Sequence, residues 1–145
     1  MIVIYTDGLA EPNPGIGTYG YVILKDGASV SSRHGFSGQR VTNNYAEYDG
    51  LIHALAELSG NEGDEIVVRS DSSLLVNQMA GAWKVGKKAY NNPHEGSYVE
   101  KFLEARGLAR KFAKLRFEWI PREQNMEADE LSRVAYREAL RKMRT

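Results

Sequence analysis

The chain has 145 residues, 42% hydrophobic and 26% charged, and its 19 basic and 19 acidic side chains cancel at neutral pH. That is enough for one domain, residues 1–145, with its own core; no run is apolar enough to span a bilayer, and no charged leader precedes an apolar stretch. Zero cysteines exclude disulfides, thiolate nucleophiles and Cys-ligated zinc, and fit a reducing, cytoplasmic setting.

Ile2 to Thr6 is a nearly continuous apolar run, the pattern of a strand covered on both faces. Gly8 to Gly17 holds Pro12, Asn13, Pro14 and Gly15 and is expected to be a turn, neither helix nor central strand. Tyr19 to Leu24 reads as a second strand, Asp26-Gly27 as a hairpin turn and Ser29 to Ser37 as a third strand. Thr42 or Asn43 caps a helix running to about Leu58, with Tyr45, Tyr48, Ile52 and Leu55 on its core face. Glu65 to Ser70 is a buried strand, and Ser72 or Ser73 caps a short helix ending near Gly81. Residues 84–96 are loop-like. A helix from about Ser97 to Ala113, a strand from Lys114 or Leu115 to Ile120, and a last helix from about Asn125 complete the chain. The last helix should turn Leu131, Val134 and Ala135 inward. The order β-β-β-α-β-α-α-β-α implies a mixed sheet with helices on its faces.

Four acidic residues each stand in a distinct local pattern. Asp7 ends the first apolar run, Glu47 closes Thr42-Asn43-Asn44-Tyr45-Ala46-Glu47, Asp71 follows Ile66 to Ser70, and Asp129 lies in Ala128-Asp129-Glu130-Leu131-Ser132. In open α/β sheets, sites gather beyond the carboxyl ends of strands. If strands 2–6 and 65–70 are parallel neighbours, Asp7 and Asp71 sit about 5 Å apart, one strand spacing. Glu47 and Asp129 fall in the first turns of helices, whose partial positive charge eases crowding of carboxylates. Four such charges in one pocket still repel strongly, and divalent cations relieve that best. All-oxygen ligands suit Mg²⁺, with Mn²⁺ as the alternative. Two ions about 3.5–4 Å apart can hold one phosphate from both sides. Singly, these acids are ordinary turn and cap residues; their ordered combination points to a metal site.

A net charge of zero is unusual for a nucleic-acid binder. Acids that hold metal, however, do not act as free negative surface, and basic residues cluster locally. Trp83-Lys84-Val85-Gly86-Lys87-Lys88 sets an aromatic among lysines and suits phosphate contact. Arg137, Arg141, Lys142 and Arg144 fit solvated surface equally well.

Tyr5-Thr6-Asp7-Gly8, Asn13-Pro14-Gly15, Thr42-Asn43-Asn44 with Glu47, Ser70-Asp71-Ser72, and Trp119 followed by Ala128 to Ser132 closely resemble ribonuclease H of type 1. The resemblance covers essentially the whole chain and is nearest the short archaeal-like form. It implies the α/β RNase H-like fold: a five-stranded mixed sheet, its first three strands an antiparallel meander and its last two parallel, with helices on both faces. It also implies a monomeric endonuclease that hydrolyses the RNA strand of RNA/DNA hybrids, leaving 5′-phosphate and 3′-hydroxyl ends. Asp7 would bridge two Mg²⁺ ions, and Asp129 would complete the site of the ion that activates water. Glu47 and Asp71 would hold the second ion, beside the leaving 3′ oxygen. Asn13, Asn43 and Asn44 match positions lining the substrate grooves, and Arg40 and Thr42 match a pocket for a phosphate of the DNA strand. Glu47 also matches a position near a ribose 2′-hydroxyl, the group that separates RNA from DNA. Helix capping is the other role open to Asn43 and Asn44.

The chain also departs from the family pattern. Ser73 stands where many bacterial members carry Gln, and is too short for the same RNA contact. No His lies in the loop before the last acid; Pro121-Arg122-Glu123-Gln124 is shorter, and Arg122 can contact phosphate but cannot act as a base. A structural ion pair is the other reading of Arg122. Of the other histidines, His94 sits in a plausible loop, while His53, between Asp49 and Glu57, is expected to be solvated. The basic protrusion of some bacterial members is shortened to about residues 82–96, so hybrid affinity would be weaker or would lean on Lys84, Lys87 and Lys88. Double-stranded RNA is a second candidate substrate. The competing functions are a non-catalytic hybrid-binding module and another nuclease of this fold. Proofreading exonucleases usually carry Asp-x-Glu where this chain has Asp7-Gly8-Leu9, and transposases and integrases end their set with Glu rather than Asp129.

Overall fold

Strand β1 (Ile2–Glu11) runs through the middle of a five-stranded sheet ordered β3-β2-β1-β4-β5. The computed structural model describes residues 1–85 and 97–144. β2 (Gly15–Lys25) and β3 (Ala28–Val41) complete an antiparallel meander, and β4 (Glu65–Ser70) and β5 (Lys114–Trp119) join parallel to β1. The helices are α1 (Asn43–Glu57), α2 (Ser73–Met79), α3 (Val99–Ala109) and α4 (Met126–Met143), with a 3₁₀ turn at Arg122–Gln124 before the last. Among the described residues, no helix is long and apolar enough to cross a membrane.

Ile2, Ile4, Ile66 and Val68 from the parallel pair and Tyr19, Tyr21 and Ile23 from β2 form the main core with Tyr48, Leu51 and Leu55 of α1. Polar ties fix the helices above that core. The Tyr48 hydroxyl donates to Gln78 of α2 at 2.7 Å, and the Gln78 amide donates to the Tyr98 hydroxyl at 3.1 Å. Asp49, buried on α1, is held by Lys101 of α3 at 3.2 Å. His53 is exposed, as expected, with its ring stacked on Tyr19.

Four elements differ from expectation, and one is β3, which continues to Val41, four residues past the expected Ser37, because Gly15 of β2 still pairs with Val41. The segment 8–17 is not all turn: Gly8–Glu11 belongs to the central strand, Gly15–Gly17 to β2, and only 12–14 reverse the chain. The cause is the hairpin ladder, which stays paired as far as Glu11 opposite Ile16. Proline therefore marks the reversal alone. α3 stops at Ala109, four residues before the expected end, because Ala113 N–H donates to the Glu62 carbonyl at 3.0 Å and draws the chain toward β4. On α4, Leu131 and Val134 are only half-buried, while Ala128, Ser132, Ala135 and Ala139 are buried. α4 approaches β2 so closely that small residues make the contact. A Cβ on Gly20 would lie 2.6 Å from the Ala128 carbonyl oxygen and 2.7 Å from Ser132 N. The expected loop residues Gly86 to Gly96, with Lys87, Lys88 and His94, lie outside the described residues.

Candidate active site

The site forms where β1 outruns β4. The parallel ladder pairs Ile2 to Tyr5 with Ile66 to Arg69 and then stops, whereas the antiparallel ladder on the other side continues. Past Tyr5, β1 and the β4–α2 corner diverge, and Asp7 and Asp71 stand on the two sides of the gap. Asn125 bridges it. Asn125 is 1% exposed; its Nδ2 donates to the Thr6 carbonyl at 2.9 Å, and its amide favours the charged form of Asp71. The Asn125 carbonyl accepts the Asp129 N–H at 3.1 Å, so one residue connects the surroundings of three acids. The sequence showed Asn125 only as a helix start; its signal was a polar residue just ahead of an acid-bearing first turn.

Glu47 reaches the gap because α1 crosses β1 at backbone distance. A Cβ on Gly8 would stand 2.5 Å from both Ala46 C and Glu47 N, so only glycine fits beneath the helix. Thr42 caps α1, accepting the Tyr45 N–H at 3.1 Å. Capping therefore falls to Thr42 rather than to Asn43 or Asn44. Asn43 instead accepts the Ala10 N–H at 2.6 Å through Oδ1, and Asn13 Oδ1 accepts the Asn43 N–H at 3.0 Å. Both oxygens are thus committed to backbone, and among the described residues each amide NH₂ is left for another partner. Asn44 is half-buried in the same turn.

Ligand oxygens of Asp7, Glu47 and Asp71 all lie within 4.8 Å of one another. Asp129 and Arg122 line the same open cavity of about 360 Å³, together with Asn43 and Arg133. Asp129 Oδ2 is 3.3 Å from Arg133 Nε, one turn along α4. Arg40 and Ser73 are exposed. Trp83 and Lys84 are exposed as well, and they line a separate cavity of about 820 Å³ with residues of α2, α3 and β5. The structure thus brings the four acids, Arg122 and Asn43 to one cavity and leaves Trp83 and Lys84 at another.

The carboxylates are under electrostatic strain. Burial, then the charge of Asp71, pushes Asp7 up to about 7. Burial, then Asp7 and Asp71, holds Glu47 well above the usual range. Burial raises Asp71 too, opposed by the Asn125 hydrogen bond and by the charge of Arg122. Glu47 Oε2 is buried without a hydrogen-bond partner. Unpaired buried carboxylate oxygen is costly, and a divalent cation satisfies it and the mutual repulsion together. The donor set fits such an ion.

A family model described as "Reverse transcriptase-like" matches residues 5–135. A solved RNase H1 from the halophilic archaeon Halobacterium salinarum is 33% identical, with a TM-score of 0.81 covering 94% of this chain and 98% of that one. The chain belongs to the ribonuclease H family. LC11-RNase H1, solved in complex with an RNA/DNA hybrid, is 36% identical, with a TM-score of 0.82 and coverage of 97% and 99%. A bifunctional protein of Mycobacterium tuberculosis is 36% identical over 92% of this chain but only 35% of its own length. The chain thus spans about a third of the first curated relatives it matches.

Proposed function

We propose that this chain is a ribonuclease H: a single-domain, monomeric, cytoplasmic endonuclease that hydrolyses the RNA strand of RNA/DNA hybrids and leaves 5′-phosphate and 3′-hydroxyl ends. The observation that carries this reading is the convergence of Asp7, Glu47 and Asp71, all disfavoured as free anions, at the open end of a parallel strand pair. Support for the substrate comes from LC11-RNase H1, a 36% identical protein solved with a hybrid.

Asp7, Glu47, Asp71 and Asp129 would hold two Mg²⁺ ions, with Mn²⁺ as a substitute. When bound, such ions neutralise the acids, lower the pKa of a coordinated water and stabilise charge on a leaving oxygen. The chain's own residues supply position. Asp7, between the other acids, is the shared ligand in this reading. Asn13 and Asn43, their oxygens tied to backbone, offer amide NH₂ groups to acceptors such as the ribose 2′-hydroxyl. Arg122, exposed at the rim, presents guanidinium donors to phosphate and offers no acceptor for a proton. Arg40 with Thr42, and Trp83 with Lys84, would follow the DNA strand farther out. Ser73 is exposed at the start of α2, and its hydroxyl can reach only a close neighbour.

A labelled RNA/DNA hybrid incubated with Mg²⁺ should be cut in its RNA strand, and EDTA should stop the reaction. Parallel incubations with double-stranded RNA and with DNA carrying one ribonucleotide would define the substrate range. Binding to the hybrid without metal-dependent cleavage would turn the reading into that of a binding module.

A further inference from the structure

Trp119 ends β5 with half of its surface, 51%, open to solvent. A large ring so exposed adds little to core packing, and a solvent-facing indole at a strand end calls for another reason. Its Nε1 donates to the carbonyl of Asp71 at 3.2 Å. Three further bonds hold the corner where that carbonyl lies. The Ile120 N–H donates to the Ser70 carbonyl at 2.9 Å, the Ser72 N–H donates to Ser70 Oγ at 3.0 Å, and Ser72 Oγ caps α2 by accepting the Leu75 N–H at 3.2 Å. Of these, the indole bond alone acts on Asp71's own peptide group from a side chain outside the corner.

We propose that Trp119 is a positioning residue for Asp71: its N–H fixes the peptide plane from which the Asp71 carboxylate projects toward Asp7 and Glu47. This rests on the metal-dependent reading of the site. Asp71 is the acid most in need of such support. Asp7 lies within a strand and Glu47 within a helix, whereas Asp71 occupies a bend between β4 and the start of α2. A bend residue has freer φ and ψ than a residue inside a ladder or helix. A carboxylate that swings by a fraction of an ångström loses much of its advantage as a ligand for Mg²⁺, which demands near-ideal octahedral geometry.

The test uses two replacements of one residue. Trp119→Phe keeps an aromatic ring and removes the donor. Site-specific replacement of Trp119 by benzothienylalanine keeps the bicyclic ring and substitutes sulfur for N–H. For the wild type and both variants, the Mg²⁺ concentration giving half of the metal-induced rise in Tm is measured without substrate. Hybrid cleavage is then measured for kcat and KM at saturating Mg²⁺. The expected result is a rise of about 10-fold, within the 10–100-fold range typical of residues supporting metal ligands, in the half-saturating Mg²⁺ concentration. The rise should be similar in both variants, with lower kcat and unchanged KM for the hybrid. Wild-type metal response in both variants would overturn the proposal, and so would a loss confined to Trp119→Phe, which would assign the effect to ring packing. A wild type whose Tm ignores Mg²⁺ would instead overturn the metal-site reading on which the proposal rests.

Discussion

Replacing Asp7 by Asn separates chemistry from folding at a single residue. Asp7 stands above its ordinary pKa chiefly because it is buried, then because Asp71 is near, so a neutral amide relieves the site while removing a charged ligand. Asp7→Asn should lower kcat by about 10²-fold or more and raise the Tm of the metal-free protein. Near-normal turnover in that variant would end the role given to Asp7. Asn125 behaves in the opposite way. Asn125→Ala leaves the Thr6 carbonyl without its donor, at a cost of about 1–3 kcal/mol for a buried group left unpaired. Its Mg²⁺ affinity should fall by about 10–100-fold, measured by calorimetry; unchanged affinity with reduced stability would confine Asn125 to a structural role. The four acids were legible because each carried a local pattern, a strand end or a helix start. Asn125 was not, because its importance lies in a bond to Thr6, 119 residues away, and in its effect on Asp71, and nothing beside it in the chain announces those partners.

At the scale of elements, the site depends on how closely two helices approach the sheet. α4 lies over Gly20, which is paired with Asp7 across the β1–β2 ladder, and Thr18 Oγ1 donates to the Ser132 carbonyl at 2.8 Å to hold it there. Gly20→Ala must push α4 outward, since the added carbon meets backbone that cannot rotate aside. Overpacking of this kind costs about 1–3 kcal/mol, and Asp129 moves with the helix. Activity should fall more than stability alone explains, as read by kcat at a temperature well below the variant's Tm. Gly63→Ala, with nothing near its added carbon, should match wild type in both measurements. If Gly20→Ala also matched wild type, the close approach of α4 would have no bearing on the site. The same closeness explains what the sequence concealed. β4 was legible to the residue, Glu65 to Ser70, because a turn-forming Gly63-Asp64 precedes it and Asp71 ends it. The far half of β1 was not, because Pro12 to Gly15 drew the expected turn back as far as Gly8, whose actual service is to let a helix cross.

For the whole molecule, the consequence is a stability that depends on pH in an unusual direction. A carboxyl whose folded pKa is raised binds more protons folded than unfolded, so its contribution favours folding at low pH. That contribution is lost as pH rises from the ordinary carboxylate range through the folded value, about 7 for Asp7. Glu47 and Asp71 are shifted the same way. Metal-free protein should therefore lose Tm between about pH 4 and pH 7 relative to Asp7→Asn. Mg²⁺ should restore more Tm at pH 8 than at pH 5, because binding must displace those protons. Thermal melts of both proteins across that range, with Mg²⁺ or with EDTA, test the prediction; parallel curves for the two proteins would contradict it.

Residues 7, 47, 71 and 129 come from four separate stretches of chain, and the last of them rides on the helix that docks last in sequence order. Synthesis must therefore reach α4 before the fourth carboxylate exists to be docked. Until α4 settles over Gly20, the emerging chain holds only three of its acids and lacks Asn125 between them. The carboxylate cluster is in this way closed by its most C-terminal member, and no earlier stretch of chain can assemble it alone.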